Sequence, residues 1–133
     1  MAFVLDASIC AAWALADESS VIADYAEVLI KSETALVPAV WWYEVRNVLV
    51  VNERRSRMTA SDSAVFLDLL TGYPIAVDTA QDEELTLRLA REHRLSFYEA
   101  AYLALAVRER LPLATLDKAL QTAAEAAGVA LLG

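Results

Sequence analysis

The chain has 133 residues, and this length predicts one domain, residues 1–133, that buries a core without disulfides or structural metal. A single cysteine and a single histidine exclude an internal disulfide and a cysteine-based zinc site, and they argue against cysteine–histidine and serine–histidine–aspartate catalysis. The net charge of −8 argues against general, charge-driven binding of nucleic acid, although it does not exclude cleavage of nucleic acid by an acidic site.

Apolar strand-like runs alternate with helical patterns along the chain, which is typical of a parallel sheet in an α/β protein. Strands are predicted at Phe3–Leu5, Ala35–Val37, Ile75–Val77, Leu113–Thr115 and Val129–Leu132. Helices are predicted at about residues 9–16, 20–32, 41–55, 60–71, 80–93, 97–110 and 117–127. Three prolines and Gly72 fall between elements, and Gly128 lies where a helix C′ residue belongs.

Four acidic residues lie where apolar segments begin or end. Asp6 and Asp117 follow predicted strands, and the carboxyl ends of parallel strands are where open α/β sheets bind ligands. Glu44 and Glu99 lie early in apolar helices. Clustered carboxylates repel one another unless a cation joins them, and carboxylate oxygens are preferred by Mg²⁺ and Mn²⁺. We therefore expect these four residues to hold a divalent metal ion.

Each acid also has a purely structural explanation, because carboxylates near helix N-termini accept hydrogen bonds from free backbone N–H groups. Asp6 and Asp117 fit simple N-caps, and Ser96 with Glu99 fits a capping box. Glu44 fits this explanation less well, since its neighbours are apolar and Asn47 lies one turn further along. All four element ends carry acid where Ser, Asn or Thr would cap equally well, which favours a shared cation.

The chain resembles the PIN-domain ribonucleases, and most closely the VapC toxins of bacterial toxin–antitoxin pairs. The resemblance covers the whole length and depends on four segments in order. They are Phe3–Ser8, residues 37–49 from Val37-Pro38 through Glu44-Val45-Arg46-Asn47, Leu95–Ala106 and Leu113–Asp117. Each segment alone is a weak signal, and together they are specific.

The resemblance implies a three-layer α/β/α sandwich with a central parallel sheet and a metal site at the strands' carboxyl ends. It implies metal-dependent hydrolysis of RNA phosphodiester bonds, with Mg²⁺, or alternatively Mn²⁺, activating the attacking water. Asp6 and Asp117 would bind the metal most directly, and Glu44 and Glu99 would complete its shell or orient the water. Hydrogen bonds from Ser8, Asn47 and Thr115 would support these ligands. Asp78, on what would be an edge strand, is assigned a structural role.

One residue departs from the family pattern, since members usually carry Asp where this chain has Glu99. The carboxylate is then one methylene further from the backbone, and Mg²⁺ demands near-ideal octahedral geometry. The alternative hypothesis is a PIN-fold module that binds an antitoxin or RNA but cleaves weakly or not at all. A phosphatase-like or response-regulator-like domain is a third and weaker interpretation, since no nucleophilic aspartate motif supports it.

The remaining charged and aromatic residues leave alternatives open. Arg54, Arg55 and Arg57 either complement the dipole of the predicted helix, which is the interpretation we favour, or bind RNA phosphates beside the acidic site. The tryptophans could stack on bases, but burial is favoured for them. Because Trp41 and Trp42 are adjacent on one helix, we expect one of them to contact a partner.

Composition and resemblance together predict the partners. A hydrophobic fraction of 58% is high for a small soluble domain. It predicts that apolar surface left exposed by the domain is buried against a partner protein or a second copy of the chain. The resemblance implies a homodimer and a VapB-type antitoxin that lies over the acidic groove. No apolar run approaches the roughly 20 residues that span a bilayer, and no basic leader is visible, so we expect a cytoplasmic protein.

Overall fold

The computed structural model describes residues 1–15, 17–18 and 20–133. The strands are β1 (Phe3–Leu5), β2 (Ala35–Pro38), β3 (Ile75–Asp78) and β4 (Leu113–Ala114). The helices are α1 (Ala7–Ala14), α2 (Val21–Leu29), α3 (Val40–Arg54), α4 (Ala60–Thr71), α5 (Glu83–His93), α6 (Phe97–Glu109) and α7 (Lys118–Ala126). In this described part no helix is long and apolar enough to cross a membrane.

The four strands form one parallel sheet in the order β3-β2-β1-β4. The chain steps from β1 to β2 to β3 in one direction, so right-handed crossovers place α1 to α4 on one face of the sheet. It then returns in the opposite direction to β4, which places α5 and α6 on the other face. The packing agrees, since α1 contacts α2 and α3, whereas α5 packs on α6, which covers β1, β2 and β4. The predicted three-layer α/β/α sandwich is thereby confirmed.

The strand order changes direction between β1 and β4, and this is the feature that positions the site. The helix that follows β1, α1, lies on one face of the sheet, and the helix that follows β4, α7, packs against α6 on the other. The two connections diverge at the carboxyl ends of these strands and leave a crevice there. Asp6 follows β1 and Asp117 follows β4 at this crevice.

The core is built from residues whose burial the sequence pattern predicts. All three residues of β1 are fully buried, as expected for a central strand with helices on both faces. Cys10 is fully buried, and burial raises the pKa of its thiol to about 12. Trp41 is buried and Trp42 is half-exposed, so the adjacent tryptophans point to different environments.

The predicted helices are all present, and the largest differences in their bounds are three residues, at the end of α2 and the start of α5. The predicted end of the first helix at residue 16 lies outside the described residues. Gly128 has a φ of +77° two residues after α7, which is the left-handed conformation that makes glycine the preferred C′ residue.

The prediction of a fifth strand at Val129–Leu132 is wrong. The segment makes only an isolated parallel bridge between Leu113 and Leu131. It still pairs with β4 through backbone bonds, from the Leu113 N–H to Ala130 and from the Leu132 N–H to Leu113, each 2.9 Å. Because β4 is only two residues long, it gives the last segment too short a template for a regular strand.

Candidate active site

The four acidic residues line one cleft of about 260 Å³ at the carboxyl ends of β1 and β4. The cleft is lined by Asp6, Ala7, Ser8, Glu44, Asn47, Val48, Glu99, Tyr102, Asp117 and Leu120. Five elements or their ends therefore contribute to it, the β1–α1 corner, α3, α6, the β4–α7 connection and α7. None of these lining residues is basic, so all the charged residues of the cleft are acidic.

Asp6 lies at the floor of the cleft and is held by two hydroxyl groups. Ser8 Oγ donates to Asp6 Oδ2 at 2.5 Å, and Thr115 Oγ1 donates to the same oxygen at 2.7 Å. The backbone N–H groups of Leu116 and Asp117 donate to these hydroxyl oxygens at 2.9 and 3.0 Å. The network joins the ends of β1 and β4, so the strand pairing itself sets the position of the Asp6 carboxylate.

Asp6 is at the N-cap of α1 but makes no side-chain capping bond. Its carboxylate is therefore directed at the cleft and at the two hydroxyl groups. Burial raises the pKa of Asp6 above its usual value and the charge of Asp117 adds to this, whereas the hydrogen bonds from Ser8 and Thr115 act in the opposite direction.

Glu44 lies in the second turn of α3 and is held from across the molecule. The Tyr102 hydroxyl, on α6, donates to Glu44 Oε1 at 2.6 Å. Burial raises the pKa of Glu44, and the charges of Asp6 and Glu99 raise it further, whereas the bond from Tyr102 lowers it. Asn47 lines the same cleft one turn along the helix.

Glu99 and Asp117 reach the cleft while capping helices. The Ser96 N–H donates to Glu99 Oε1 at 2.9 Å, and Ser96 Oγ accepts from the Glu99 N–H at 3.0 Å, which completes the capping box predicted for α6. Asp117 Oδ1 accepts from the Leu120 N–H at 3.0 Å as the N-cap of α7. For these two acids the structural explanation holds, and it occupies only one oxygen of each carboxylate.

A divalent cation fits the chemistry of this donor set. Each of the four carboxylates uses one oxygen for protein hydrogen bonds, and its other oxygen accepts none from the described residues. Four free carboxylate oxygens in an acidic cleft match the preference of Mg²⁺ and Mn²⁺. Among residues 1–15, 17–18 and 20–133, however, no three Asp, Glu, His or Cys side chains lie close enough together to form a group that could hold a metal ion.

Among the polar residues that line the cleft, Tyr102 is the one to which the sequence patterns assign no role. In the sequence it is one more aromatic residue in an apolar, alanine-rich helix, where burial alone explains it. Its position three residues after Glu99 indicates that the two side chains lie on the same side of α6, because residues three apart are neighbours on a helix surface.

The other predicted candidates lie elsewhere. Asp78 ends the edge strand β3 and forms an ion pair of 2.8 Å with Arg108, as its structural role requires. Arg57 donates to Asp17, Glu18 and Asn52, each at 3.1 Å, and lines a different cleft. Arg54 and Arg55 are exposed at the end of α3, about 15 Å along that helix from Glu44.

Comparison with known proteins gives a family match and two similar structures. Residues 3–126 match the family model described as PIN domain. The crystal structure of PAE2754 from Pyrobaculum aerophilum is 23% identical with a TM-score of 0.73, covering 92% of this chain and 84% of that one. The crystal structure of Mycobacterium tuberculosis VapC20, a sarcin-ricin loop cleaving toxin, is 15% identical with a TM-score of 0.61, covering 91% and 94%.

The two structural likenesses show a shared fold, and the comparison with curated proteins gives no match. The family model spans all four strands, all seven described helices and the four acids of the cleft. The chain therefore belongs to the PIN domain family.

Proposed function

We propose that the chain is a metal-dependent endoribonuclease toxin of the VapC type, which hydrolyses RNA phosphodiester bonds and is inhibited by a VapB-type antitoxin. The observation that carries the proposal is the convergence of Asp6, Glu44, Glu99 and Asp117 on one cleft, each with a free carboxylate oxygen. PIN domains are generally nucleases, and the fold is shared with a toxin that cleaves the sarcin-ricin loop.

In this proposal Asp6 and Asp117 hold Mg²⁺ or Mn²⁺ most directly, and Glu44 and Glu99 complete its coordination or orient the attacking water. A bound divalent cation would activate that water and offset the charge of the scissile phosphate. Ser8 and Thr115 hold Asp6 so that Oδ1 remains free for the ion, and Asn47 adds a polar group at the rim. The proposal includes one PIN domain over residues 1–133, a homodimer and a cytoplasmic location.

The proposal also includes RNA binding by the arginines at the end of α3. Arg57 is already engaged by Asp17 and Glu18, so Arg54 and Arg55 remain the candidates for contacts to phosphate. Reversing both charges, with Arg54→Glu and Arg55→Glu, would weaken RNA binding if they grip the substrate and would leave it unchanged if they serve only the helix dipole.

The test of the main proposal is cleavage of a mixed RNA pool by the purified chain in Mn²⁺, Mg²⁺ or EDTA. Cleavage should require metal and should disappear in Asp6→Asn. Asp78→Asn is a matched control, because Asp78 also follows a strand but is paired with Arg108 outside the cleft, and this variant should cleave like the unaltered chain. Cleavage that survives in EDTA or in Asp6→Asn would contradict the proposed site.

A second candidate function is a PIN-fold module that binds antitoxin or RNA without efficient cleavage. It is favoured by the capping bond that holds Glu99 to Ser96 and by the finding that, although the four acids share a cleft, no three of the described residues form a group that could hold a metal ion. A Glu99→Asp variant separates the two functions. If only this variant cleaves RNA, the natural chain is the binding module, and if both cleave, the ribonuclease proposal stands.

A further inference from the structure

A hydrogen bond in the acidic cleft joins two helices, α6 and α3, that lie on opposite faces of the sheet. Tyr102 lies on α6 and Glu44 on α3, 58 residues apart, and the hydroxyl meets Glu44 Oε1 at 2.6 Å. Tyr102 is only 1% exposed, whereas Glu44 is partly exposed toward the cleft. The phenol is thus a fixed buried group, and the carboxylate that it holds faces solvent.

Packing alone does not explain a tyrosine at this position. Phenylalanine would fill nearly the same volume, and a buried hydroxyl costs stability unless it finds a partner. The partner here is the Glu44 carboxylate, which lines one cleft together with the carboxylates of Asp6 and Glu99. The hydroxyl therefore stabilises a carboxylate that has no other hydrogen-bond donor among the described residues.

The hydroxyl serves Glu44 as a donor, because an ionised carboxylate can only accept hydrogen bonds. Its proton points at Oε1. The Glu44 side chain is held in one orientation, with Oε2 left free at the cleft.

We propose that Tyr102 is a positioning residue that orients Glu44 toward the cation site through its hydroxyl group. The inference rests on the proposed function, because it concerns a ligand of that site. It assigns the α6 tyrosine a role equivalent to that of Ser8 and Thr115 at Asp6, so two of the four carboxylates are aimed by hydroxyl donors. Tyr102 does not contact substrate in this assignment.

The experiment measures Mn²⁺ binding by titration calorimetry, without RNA. Tyr102→Phe removes only the hydroxyl and should weaken Mn²⁺ binding about tenfold, as loss of a group that orients a metal ligand does. Tyr25→Phe is the matched control, since Tyr25 is an exposed tyrosine on α2 and its loss of a hydroxyl should leave Mn²⁺ affinity unchanged. The thermal midpoint of each variant is recorded in EDTA to verify that it is folded.

A double variant separates positioning from a general effect on structure. If Tyr102 acts through Glu44, then Tyr102→Phe should have no further effect on Mn²⁺ affinity in a Glu44→Gln background. Independent, additive losses in the double variant would overturn the proposal. A metal-free measurement adds a direct readout, because the Tyr102 hydroxyl proton should be visible by NMR as a slowly exchanging signal that is lost in Glu44→Ala.

The outcomes distinguish this proposal from the proposed function. Unchanged Mn²⁺ affinity in Tyr102→Phe, with binding by the unaltered chain, overturns the role of Tyr102 alone. No Mn²⁺ binding by the unaltered chain overturns the metal site and the role of Tyr102 together. Tenfold weaker binding in Tyr102→Phe, absent from the Glu44→Gln background, supports the proposal whether or not RNA cleavage has been detected.

Discussion

At the scale of single residues, burial of the Asp6 carboxylate lowers the stability of the metal-free protein, and a bound metal ion would offset this loss. The pKa of Asp6 is raised, chiefly by burial, so the folded state binds more protons than the unfolded chain as pH rises from about 4. Stability of the metal-free protein therefore falls as pH rises through this range and stays reduced at pH 7. A site that is unfavourable when empty is one that gains from binding a cation.

Asp6→Asn should therefore stabilise the metal-free protein at pH 7, by about 1 kcal/mol, while removing its response to Mn²⁺. The unaltered chain should gain about 2.7 kcal/mol from Mn²⁺ at 100 times its Kd. Thermal unfolding in EDTA and in Mn²⁺ checks this, and the advantage of Asp6→Asn in EDTA should shrink as the pH is lowered toward 4. An Asp6→Asn variant that is less stable than the unaltered chain in EDTA at pH 7 would refute the prediction.

Glu99 caps α6 and also lines the proposed metal-binding cleft, and one substitution separates these two functions. Glutamine also completes a capping box, so Glu99→Gln should change the free energy of unfolding by less than about 0.5 kcal/mol, whereas Glu99→Ala should cost about 1 kcal/mol. Both variants should bind Mn²⁺ roughly tenfold more weakly, because both remove the carboxylate. Chemical unfolding and titration calorimetry on the same two variants give the two numbers. Mn²⁺ affinity unchanged in Glu99→Gln would reduce Glu99 to a helix cap.

The sequence identified all four acids of the cleft but could not identify their hydrogen bonds. Asp6 and Asp117 were found because each follows an apolar run, and burial of such runs is a strong local signal. Which oxygen of Glu99 caps the helix, and which group holds Glu44, depends on side chains brought together from distant parts of the chain. No local pattern assigns Tyr102 a role for the same reason, since its partner lies 58 residues away.

At the scale of elements, the hydrophobic periodicity of the sequence predicts the helices and the central strands correctly, but it predicts the last segment of the sheet wrongly. The hydrophobic run Val129–Leu132 satisfies the local rule for a strand, yet pairing depends on the length of its neighbour β4. Strand order likewise depends on contacts between distant segments, so local patterns do not give it and only the family resemblance implies it. The position of β3 at the edge then explains why Asp78 pairs with Arg108 outside the cleft.

The Asp78–Arg108 pair joins the edge strand β3 to α6 and should contribute to stability without affecting the site. Arg108→Gln should lower the free energy of unfolding by about 0.5 kcal/mol, because both side chains are partly exposed and such pairs are worth little. Mn²⁺ affinity should not change, since Arg108 does not line the acidic cleft. Denaturant unfolding and calorimetry check the two parts. A large loss of Mn²⁺ affinity would show that this edge of the sheet is coupled to the cleft.

At the scale of the whole molecule, the high apolar content is only partly used by the core. Trp42, Tyr43, Phe97 and Tyr98 are exposed on the first turns of α3 and α6, and we call them the aromatic surface. Tyr43 and Tyr98 line a shallow depression together with Glu44 and Asn47. Exposed aromatic groups of this kind are typical of protein interfaces.

We expect the chain to be a dimer through the aromatic surface, with a mass by light scattering near twice the 14.5 kDa of one chain. Trp42→Ser should shift the mass toward that of a monomer, because a buried tryptophan at an interface contributes about 2 kcal/mol or more to binding, a loss of roughly 30-fold in affinity. Val28→Ser is the control, since Val28 is exposed on α2, away from this surface, and its variant should remain a dimer. A dimer that is lost in Val28→Ser but kept in Trp42→Ser would contradict this expectation, because the interface would then lie on α2 and not on the aromatic surface.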